Sequence, residues 1–350
     1  MLSEERLWRN TSGSWHAVII DKNDMNRYYV RVRTKEQLNI VMNWRQADVI
    51  LMDYTLMDCA DAVIASAHAE VSDNARAARE KTLDDQRPQF YYCLPYVARQ
   101  NRLESIEQMI SWRPGGTGMV ICNMDELAML TEMGFQGDVI ADPFLYAYNS
   151  DAIDFYREYY PGMKFILSDE LTDMEISGIA RIQDERRMDS FIYKIYGHQP
   201  LMITAQCISR NYTDCSKKAV PFKDERGNHF CAVSQCSQCY SIIYNEAATS
   251  MIDKMSEIGF KNLMIDFTIE SADQVKRILA LIMQEISCNA ESASDGAEYD
   301  NNRDSSNKQS GGQDGSRQGN MPGAFHKTAD NKGSIGERSI TRGHHYRGVD

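Results

Sequence analysis

The feature that most constrains the fold is a regular alternation of short apolar or β-branched runs with helical patterns. The runs recur roughly every 25–35 residues, which is the spacing of βα units. Such an alternation predicts an α/β fold, a (β/α)8 TIM-barrel-like domain, with an open doubly wound sheet as the alternative. The predicted strands are residues 28–32, 48–53, 90–94, 118–122, 138–141, 164–167, 201–205 and 263–267.

Helix-start signals support this reading. Thr172 with Glu175 three residues on forms a capping box, and Asn123 stands directly before the acidic pair that opens the next helical pattern. The helical patterns begin near Lys35, Asp58, Leu103, Met124, Ser150, Thr172, Ser250 and Ser271.

In a barrel of this kind, the chemistry lies at the carboxyl ends of the strands. Several polar residues at these positions also have structural interpretations: Asn123 and Ser168 as helix caps, and Arg99 as a solvated loop charge. Asp142 precedes a proline and is also typical of a turn. The strand ends select Asp53, Tyr54, residues 95–99 including Arg99, Asn123, Asp142, Ser168, Glu170, Gln206 and Cys207.

Five of the nine cysteines fall in a loop-rich, polar region after the seventh predicted strand. A loop has no packing reason to gather thiols, whereas thiolates bind soft metals and iron–sulfur clusters. The x4 and x2 spacings between the last three resemble a plant-type ferredoxin run, and a single CxxC pair is half of what a structural zinc site usually has. A metal centre, spare thiols and a redox disulfide all stay open. The five are Cys207, Cys215, Cys231, Cys236 and Cys239.

Common hydrolase motifs are not found in the sequence. It has no GxSxG elbow, no HExxH and no GxxxxGK[ST] loop. A nucleophilic Cys207 with His198 as its base is a hypothesis from residue types alone.

Composition predicts four regions. Residues 1–24 form an N-terminal extension, and residues 25–288 form the barrel domain with a cysteine-rich insertion at 207–245. Residues 289–334 contain no Ile, Leu or Val, so they cannot bury enough apolar area to offset their ordering entropy and are predicted to be a disordered tether. Residues 335–350 regain Ile340 and Tyr346 and are predicted to be a short docking element.

Charge and hydropathy limit the partners and the cellular location that we expect for the protein. The net charge of −12 argues against non-specific coating of nucleic acid, yet residues 181–226 hold nine Lys or Arg against six Asp or Glu. No stretch approaches the ~18 consecutive apolar residues of a membrane span. The first residues lack the apolar core of a secretory signal. We therefore expect a cytoplasmic protein with reduced thiols and no membrane partner.

The cysteine region also carries a resemblance to the U32 peptidase family, the collagenase-like peptidases. It rests on the segments YGHQPLMITAQCISRNYTDCSKK, FKDERGNHF and SQCSQCYSIIYN. The closing TRGHHYRGV is similar to the end of the family pattern, and VRVRTKEQL, LPYVAR and SDELTDMEI are similar to the second half of its long, two-barrel members. The resemblance covers residues 25–288 and the last residues of the chain.

Three departures from the family pattern stand out. The sequence begins where the second half of a long member would begin, so we expect the first barrel to come from a separate protein, if it is needed. Cys231 stands where the family usually has proline, which makes it the least suitable ligand of the five. The polar tether at 289–334 is longer than the family pattern.

The resemblance implies a cofactor and a chemistry. Better understood relatives hydroxylate a tRNA uridine, a ribosomal RNA cytidine or the ubiquinone ring without oxygen, and the RNA modifiers draw on prephenate. Transferred to this sequence, the resemblance implies a 4Fe–4S cluster, with zinc as the alternative metal. Its ligands would be Cys207, Cys215, Cys236 and Cys239.

Three function classes follow from these expectations: an RNA base hydroxylase or its C-terminal half acting on tRNA or rRNA, a collagenase-like peptidase, and a non-catalytic cluster-bearing subunit. Base chemistry requires a flipped base stacked on an aromatic ring, for which Tyr96, Tyr212 and Tyr240 are candidates. The candidate catalytic residues are His198, Asn123, Glu170 and Arg99.

Overall fold

The computed structural model describes residues 3–9, 15–21, 26–57, 88–97, 99, 103–112, 118–182, 188–208, 219–300 and 340–341. The first two segments are strands β1 (Ser3–Arg9) and β2 (Trp15–Asp21), which pair with each other in antiparallel fashion. No helix among the described residues combines the length and the apolar character that crossing a membrane requires.

Eight parallel strands close into a barrel. Each pairs with its neighbour in the order of the chain, and β13 completes the ring between β9 and β3. An open doubly wound sheet would leave two edges, so the closed pairing selects the barrel of the two predicted folds. The strands are β3 (Arg27–Val32), β4 (Ala47–Asp53), β5 (Gln89–Cys93), β6 (Gly118–Ile121), β7 (Val139–Ala141), β8 (Lys164–Ile166), β9 (Phe191–Thr204) and β13 (Asn262–Asp266).

Among the described residues, six α-helices begin at or next to positions that the sequence signals predict. Thr172 and Glu175 form the predicted capping box, with both reciprocal hydrogen bonds present. The helix predicted near Asp58 lies outside the described residues. The helices are α1 (Lys35–Met42), α2 (Leu103–Trp112), α3 (Met124–Glu132), α4 (Ser150–Tyr159), α5 (Asp173–Ile182) and α6 (Ala272–Asp300).

The core has two apolar layers, because successive side chains of a strand point to opposite faces. Outward-facing residues such as Val30 and Ile50 pack beneath the helices. Inward-facing residues fill the barrel itself, and every barrel strand contributes to this layer. The inner layer consists of Tyr29, Val49, Leu51, Tyr91, Cys93, Val120, Ile140, Ile166, Ile192 and Met264.

The cysteine-rich insertion follows the seventh barrel strand, as predicted. The residues predicted to form that strand, however, were wrong. Barrel pairing uses residues 191–197 of β9, whereas the predicted run 201–205 lies at the end of the strand outside the barrel, where residues 202–204 pair with β12 (Tyr240–Ser250). The sequence pattern favours the later run because Tyr193, Lys194 and Tyr196 interrupt the aliphatic signal of the earlier one.

The insertion is an antiparallel sheet that extends β9. Its strands are ordered β9, β12 (Tyr240–Ser250), β11 (His229–Gln235) and β10 (Val220–Lys223). The α-helix predicted to begin near Ser250 is not formed. Strand β12 ends at that residue, and a 3-10 helix, Ile252–Glu257, follows it.

The predicted boundaries near the C-terminus differ from the structure in one place. Helix α6 continues to Asp300 and so overlaps the start of the tether predicted at 289–334, whose remainder lies outside the described residues. Within the docking element predicted at 335–350, β14 (Ile340–Thr341) pairs in parallel with β12 at Ala248 and Thr249.

Candidate functional site

A pocket opens at the carboxyl ends of the barrel strands. It encloses about 530 Å³ of space between atoms, part of it open to solvent. Ile166 and Met264 of the inner apolar layer lie at its lining. This is the end of a (β/α)8 barrel where substrates bind. The polar residues that line it include Arg31, Asp142, Ser168, Asp169, Glu170, Lys194, Gln199 and Asp266.

The strand alternation explains which polar side chains enter this pocket. Two residues beyond an inward-facing residue, the next side chain again points inward. Arg31 follows Tyr29 in this way, and Lys194 follows Ile192. The same step leads from Met264 to Asp266. A ring of charged residues therefore lies directly above the apolar filling of the barrel.

The charges in this ring are paired. Arg31 Nη2 donates to Asp142 Oδ2 at 2.7 Å, and its Nη1 donates to the Tyr96 hydroxyl at 3.2 Å. Lys194 forms an ion pair with Asp169, and both side chains are at most 10% exposed. Buried ions are tolerated when each has a partner, so these pairs allow charge to persist in the barrel mouth.

Arg33 and Asp266 form a third pair beside the pocket. Arg33 Nη1 lies 2.5 Å from Asp266 Oδ1 and also donates to the Phe267 carbonyl at 2.6 Å. Burial alone would raise the pKa of Asp266, but the positive charges of Arg33, Arg31 and Lys194 outweigh it and hold the pKa below its usual value. Asp266 is therefore ionised across the neutral range.

Aromatic rings form one wall of the pocket. Tyr96 contacts Phe144 edge to face, with ring centroids 4.7 Å apart, and Tyr146 contacts Tyr148 at 5.6 Å in the same manner. Tyr146 is 63% exposed. Its φ of 55° lies in the left-handed region, which is unusual for a residue with a bulky side chain. The exposed ring of Tyr146 suits stacking against a planar ring, whereas Tyr96, Phe144 and Tyr148 are half-buried.

Polar groups next to this wall are linked in a small network. Ser168 Oγ donates to the Tyr148 hydroxyl at 3.1 Å, and that hydroxyl donates to Glu170 Oε2 at 3.1 Å. Burial, together with the charge of Glu170, raises the pKa of Tyr148 to about 12. Tyr148 is thus a neutral donor, and the exposed Glu170 is an acceptor at the pocket rim.

Three of the four predicted cysteine ligands lie around the turn between β11 and β12. Cys207 Sγ lies 3.7 Å from Ser234 Oγ, and Cys236 Sγ lies 3.9 Å from the Ser234 carbonyl oxygen. Cys239 Sγ lies 3.6 Å from the Cys236 carbonyl oxygen. The fourth, Cys215, lies outside the described residues.

The barrel holds this cysteine turn, residues 235–240, in place. The Tyr54 hydroxyl donates to Gln235 Oε1 at 3.2 Å and accepts from Ser237 Oγ at 3.3 Å. Gln238 Nε2 lies 3.4 Å from Ser105 Oγ of α2. The turn is therefore docked against the barrel rather than projecting from it.

Tyr96 connects the cysteine turn to the pocket. Its backbone N–H donates to the Tyr240 hydroxyl at 3.2 Å, and its ring lines the pocket. Tyr240 comes directly after Cys239 and is 1% exposed, so it cannot stack on a substrate as predicted. Tyr96 keeps that possibility, and Tyr212 lies outside the described residues.

The donor chemistry of the turn fits a thiophilic metal or an iron–sulfur cluster. Across the part of the chain that the structure describes, however, no group of three or more His, Cys, Asp or Glu side chains is placed to hold a metal ion. The complete ligand set, with Cys215, stays a prediction. Cys231, which the resemblance makes the least suitable ligand, is 2% exposed within β11.

The candidate catalytic residues are distributed unevenly. Glu170 lines the pocket. Asn123 caps α3 by accepting from the Glu126 N–H at 3.0 Å, which is its structural interpretation. His198 is buried, with Nδ1 donating to the Asn245 carbonyl at 2.9 Å and Nε2 3.3 Å from Glu270 Oε1. The groups that contact its ring nitrogens are therefore Asn245 and Glu270, and not Cys207.

Arg99 reaches the cysteine region. Its Nη2 donates to the Ala205 carbonyl at 3.3 Å and to the Cys239 carbonyl at 2.9 Å. The side chain is thus neither a purely solvated loop charge nor a residue of the pocket lining.

Sequence reasoning missed several residues of the pocket. A rule that selects only strand ends passes over Arg31 and Lys194, because both residues lie within strands. Lys194 also belongs to the seventh barrel strand, whose position was predicted wrongly. Tyr146 and Tyr148 follow the Asp142-Pro143 turn, whose role was left open. The inward alternation of each strand, continued past its apolar residues, would have identified Arg31 and Lys194.

Comparison of the chain with protein-family models, with curated proteins and with solved structures found no match.

The Arg33–Asp266 pair allows a direct test. Asp266→Asn leaves the buried Arg33 charge without its partner, so we expect the free energy of unfolding at pH 7 to fall by about 3–5 kcal/mol. The folded-state pKa of Asp266 is depressed, so its contribution is complete above the unfolded value near 4 and is lost as the pH falls through the folded value. The difference between wild type and variant in urea unfolding should therefore shrink below about pH 4. An equal difference at every pH would contradict this assignment.

Proposed function

We propose that the chain is an iron–sulfur-dependent barrel enzyme of the U32 type that hydroxylates an RNA base without oxygen, or the C-terminal half of such an enzyme. One observation carries the proposal: the turn that bears Cys236 and Cys239, with Cys207 beside it, is joined through Tyr96 to a barrel pocket walled by aromatic rings. A redox centre and a site for a planar substrate would then be neighbours.

Under this proposal, Cys207, Cys215, Cys236 and Cys239 hold a 4Fe–4S cluster. When bound, the cluster would supply a redox or Lewis-acid centre at the barrel mouth. The barrel contributes the fixed position of the turn, through Tyr54 and Ser105. Preorganised ligands lower the cost of assembling such a site.

The pocket supports a nucleobase as substrate. A flipped base can stack on Tyr146 or Tyr96, whose rings lie on the aromatic wall. Glu170 can accept a hydrogen bond from a base N–H, and the Tyr148 hydroxyl orients that carboxylate. Prephenate, the co-substrate that the resemblance implies, stays an expectation from the resemblance alone, because the cations of the pocket lining, Arg31 and Lys194, are each paired with an aspartate.

Contacts to phosphate groups require exposed cations. The basic residues predicted for such contacts, within 181–226, differ in their exposure in the structure. Lys194 is buried in its pair with Asp169 and serves the pocket. Lys223 and Arg226 are exposed near the tip of the β10–β11 hairpin, where they can reach a nucleic-acid backbone. The Arg and Lys residues at 186, 187, 210, 217 and 218 lie outside the described residues.

The cluster is the first expectation to test. Protein prepared without oxygen should show an iron–sulfur absorption spectrum with matching iron and sulfide content. Cys207→Ser, Cys215→Ser, Cys236→Ser and Cys239→Ser should each abolish it, because each removes a thiolate ligand. Cys231→Ser is the matched control and should keep it, since Cys231 stands where the family pattern has proline and is not among the four proposed ligands. Stoichiometric zinc without sulfide would contradict the proposal.

RNA recognition is the second expectation. The protein, alone or with a partner that supplies a first barrel, should bind tRNA or rRNA fragments with an affinity that falls as salt rises. Tyr146→Ala should weaken binding about 5- to 150-fold without changing the salt slope, because a stacked base contributes about 1–3 kcal/mol. Tyr159→Ala, on the outer helix α4, is an exposed aromatic control and should have little effect.

The same preparations distinguish a peptidase. We expect no cleavage of gelatin or casein above the level of the Cys207→Ser variant, because the ring nitrogens of His198 contact Asn245 and Glu270 rather than Cys207. Reproducible proteolysis that Cys207→Ser abolishes, together with no RNA binding at low salt, would reverse the order of the two functions.

A further inference from the structure

Arg99 makes a bridge between two segments that carry cysteines. It lies in the loop after β5, and its Nη2 donates to two carbonyl oxygens, those of Ala205 and Cys239. Ala205 follows β9 and stands two residues before Cys207. One guanidinium nitrogen therefore links the chain that positions Cys207 to the residue that bears a second thiol.

The backbone conformation of Cys239 indicates what the Arg99 bridge does. Its φ is 54°, in the left-handed region that residues other than glycine adopt only where the surroundings hold them. The N-terminal side of the turn is held by the contacts of Gln235 and Ser237 with Tyr54. On the other side, the Arg99 bond to the Cys239 carbonyl acts on the strained residue itself.

Two simpler roles for Arg99 do not account for these contacts. A solvated loop charge would not place one nitrogen within hydrogen-bond distance of two carbonyls from different strand ends. A group that contacts substrate would belong to the lining of the barrel pocket, and Arg99 does not. The contacts therefore favour a role exercised through the cysteines.

We propose that Arg99 is a positioning residue for the cysteine turn: its bonds to the Ala205 and Cys239 carbonyls hold the chain before Cys207 and the backbone of Cys239 in register, and they bring its positive charge to the turn that would carry a cluster. The part of the proposal that concerns a bound cluster rests on the proposed function, whereas the structural part does not.

Three substitutions separate geometry from charge. Arg99→Lys keeps the charge, but an ammonium on a flexible stem holds two carbonyls less firmly than a planar guanidinium does. Arg99→Gln keeps a donor and removes the charge, and Arg99→Met removes both. Arg277→Met, at an exposed position of α6, is the matched control.

Hydrogen exchange of the full chain, reduced and without oxygen, tests the geometry without reference to any metal. In Arg99→Met, amides of residues 205–208 and 236–241 should exchange about tenfold faster than in wild type, while the inner barrel strands remain unchanged. Arg99→Lys and Arg99→Gln should give intermediate rates, and Arg277→Met should match wild type. Unchanged exchange in Arg99→Met would overturn the proposal.

The charge is tested on the cluster-loaded protein. Arg99→Gln should shift the reduction potential to a more negative value than Arg99→Lys, because loss of a cation disfavours the added electron. Equal potentials in these two variants would overturn the electrostatic part. If wild type binds no iron, the proposed function fails instead, and hydrogen exchange still decides whether Arg99 holds the turn.

Discussion

Strand β9 is the element on which the rest of the structure depends, because it belongs to the barrel and to the cysteine-rich insertion at once. Its first half closes the barrel between β8 and β13, and its second half begins the antiparallel insertion with β12. Lys194 in the first half enters the pocket, and Cys207 follows the second half. A single strand therefore fixes the direction of the cysteine region relative to the barrel mouth.

The barrel mouth combines features that are costly to bury. The pairs that Arg31, Arg33 and Lys194 form with aspartates place ions directly above an apolar layer. Buried pairs of this kind contribute little net stability, but breaking one is expensive. These ion pairs lie at the pocket together with Tyr146, whose backbone is in the left-handed region. Strained and charged groups are usually concentrated at functional sites.

Sequence reasoning predicted the barrel and the position of the insertion, because both depend on local periodicity and on strand-end signals. The α5 capping box and the Asn123 cap are local interactions of the same kind, and both are confirmed. The boundary of β9 and the bridging role of Arg99 could not be predicted from the sequence. Both depend on pairings between residues distant in the chain, such as Arg99 with Cys239, which no local pattern encodes.

We propose that the cysteine turn and the barrel pocket form one redox site. Iron-edge anomalous diffraction from crystals grown without oxygen tests this proposal. We expect one compact iron peak within bonding distance of the Sγ atoms of Cys207, Cys236 and Cys239, with Cys215 as the fourth ligand, beside the pocket lined by Tyr96. A peak at the zinc edge in that position, or Sγ atoms that remain apart with no iron between them, would contradict it.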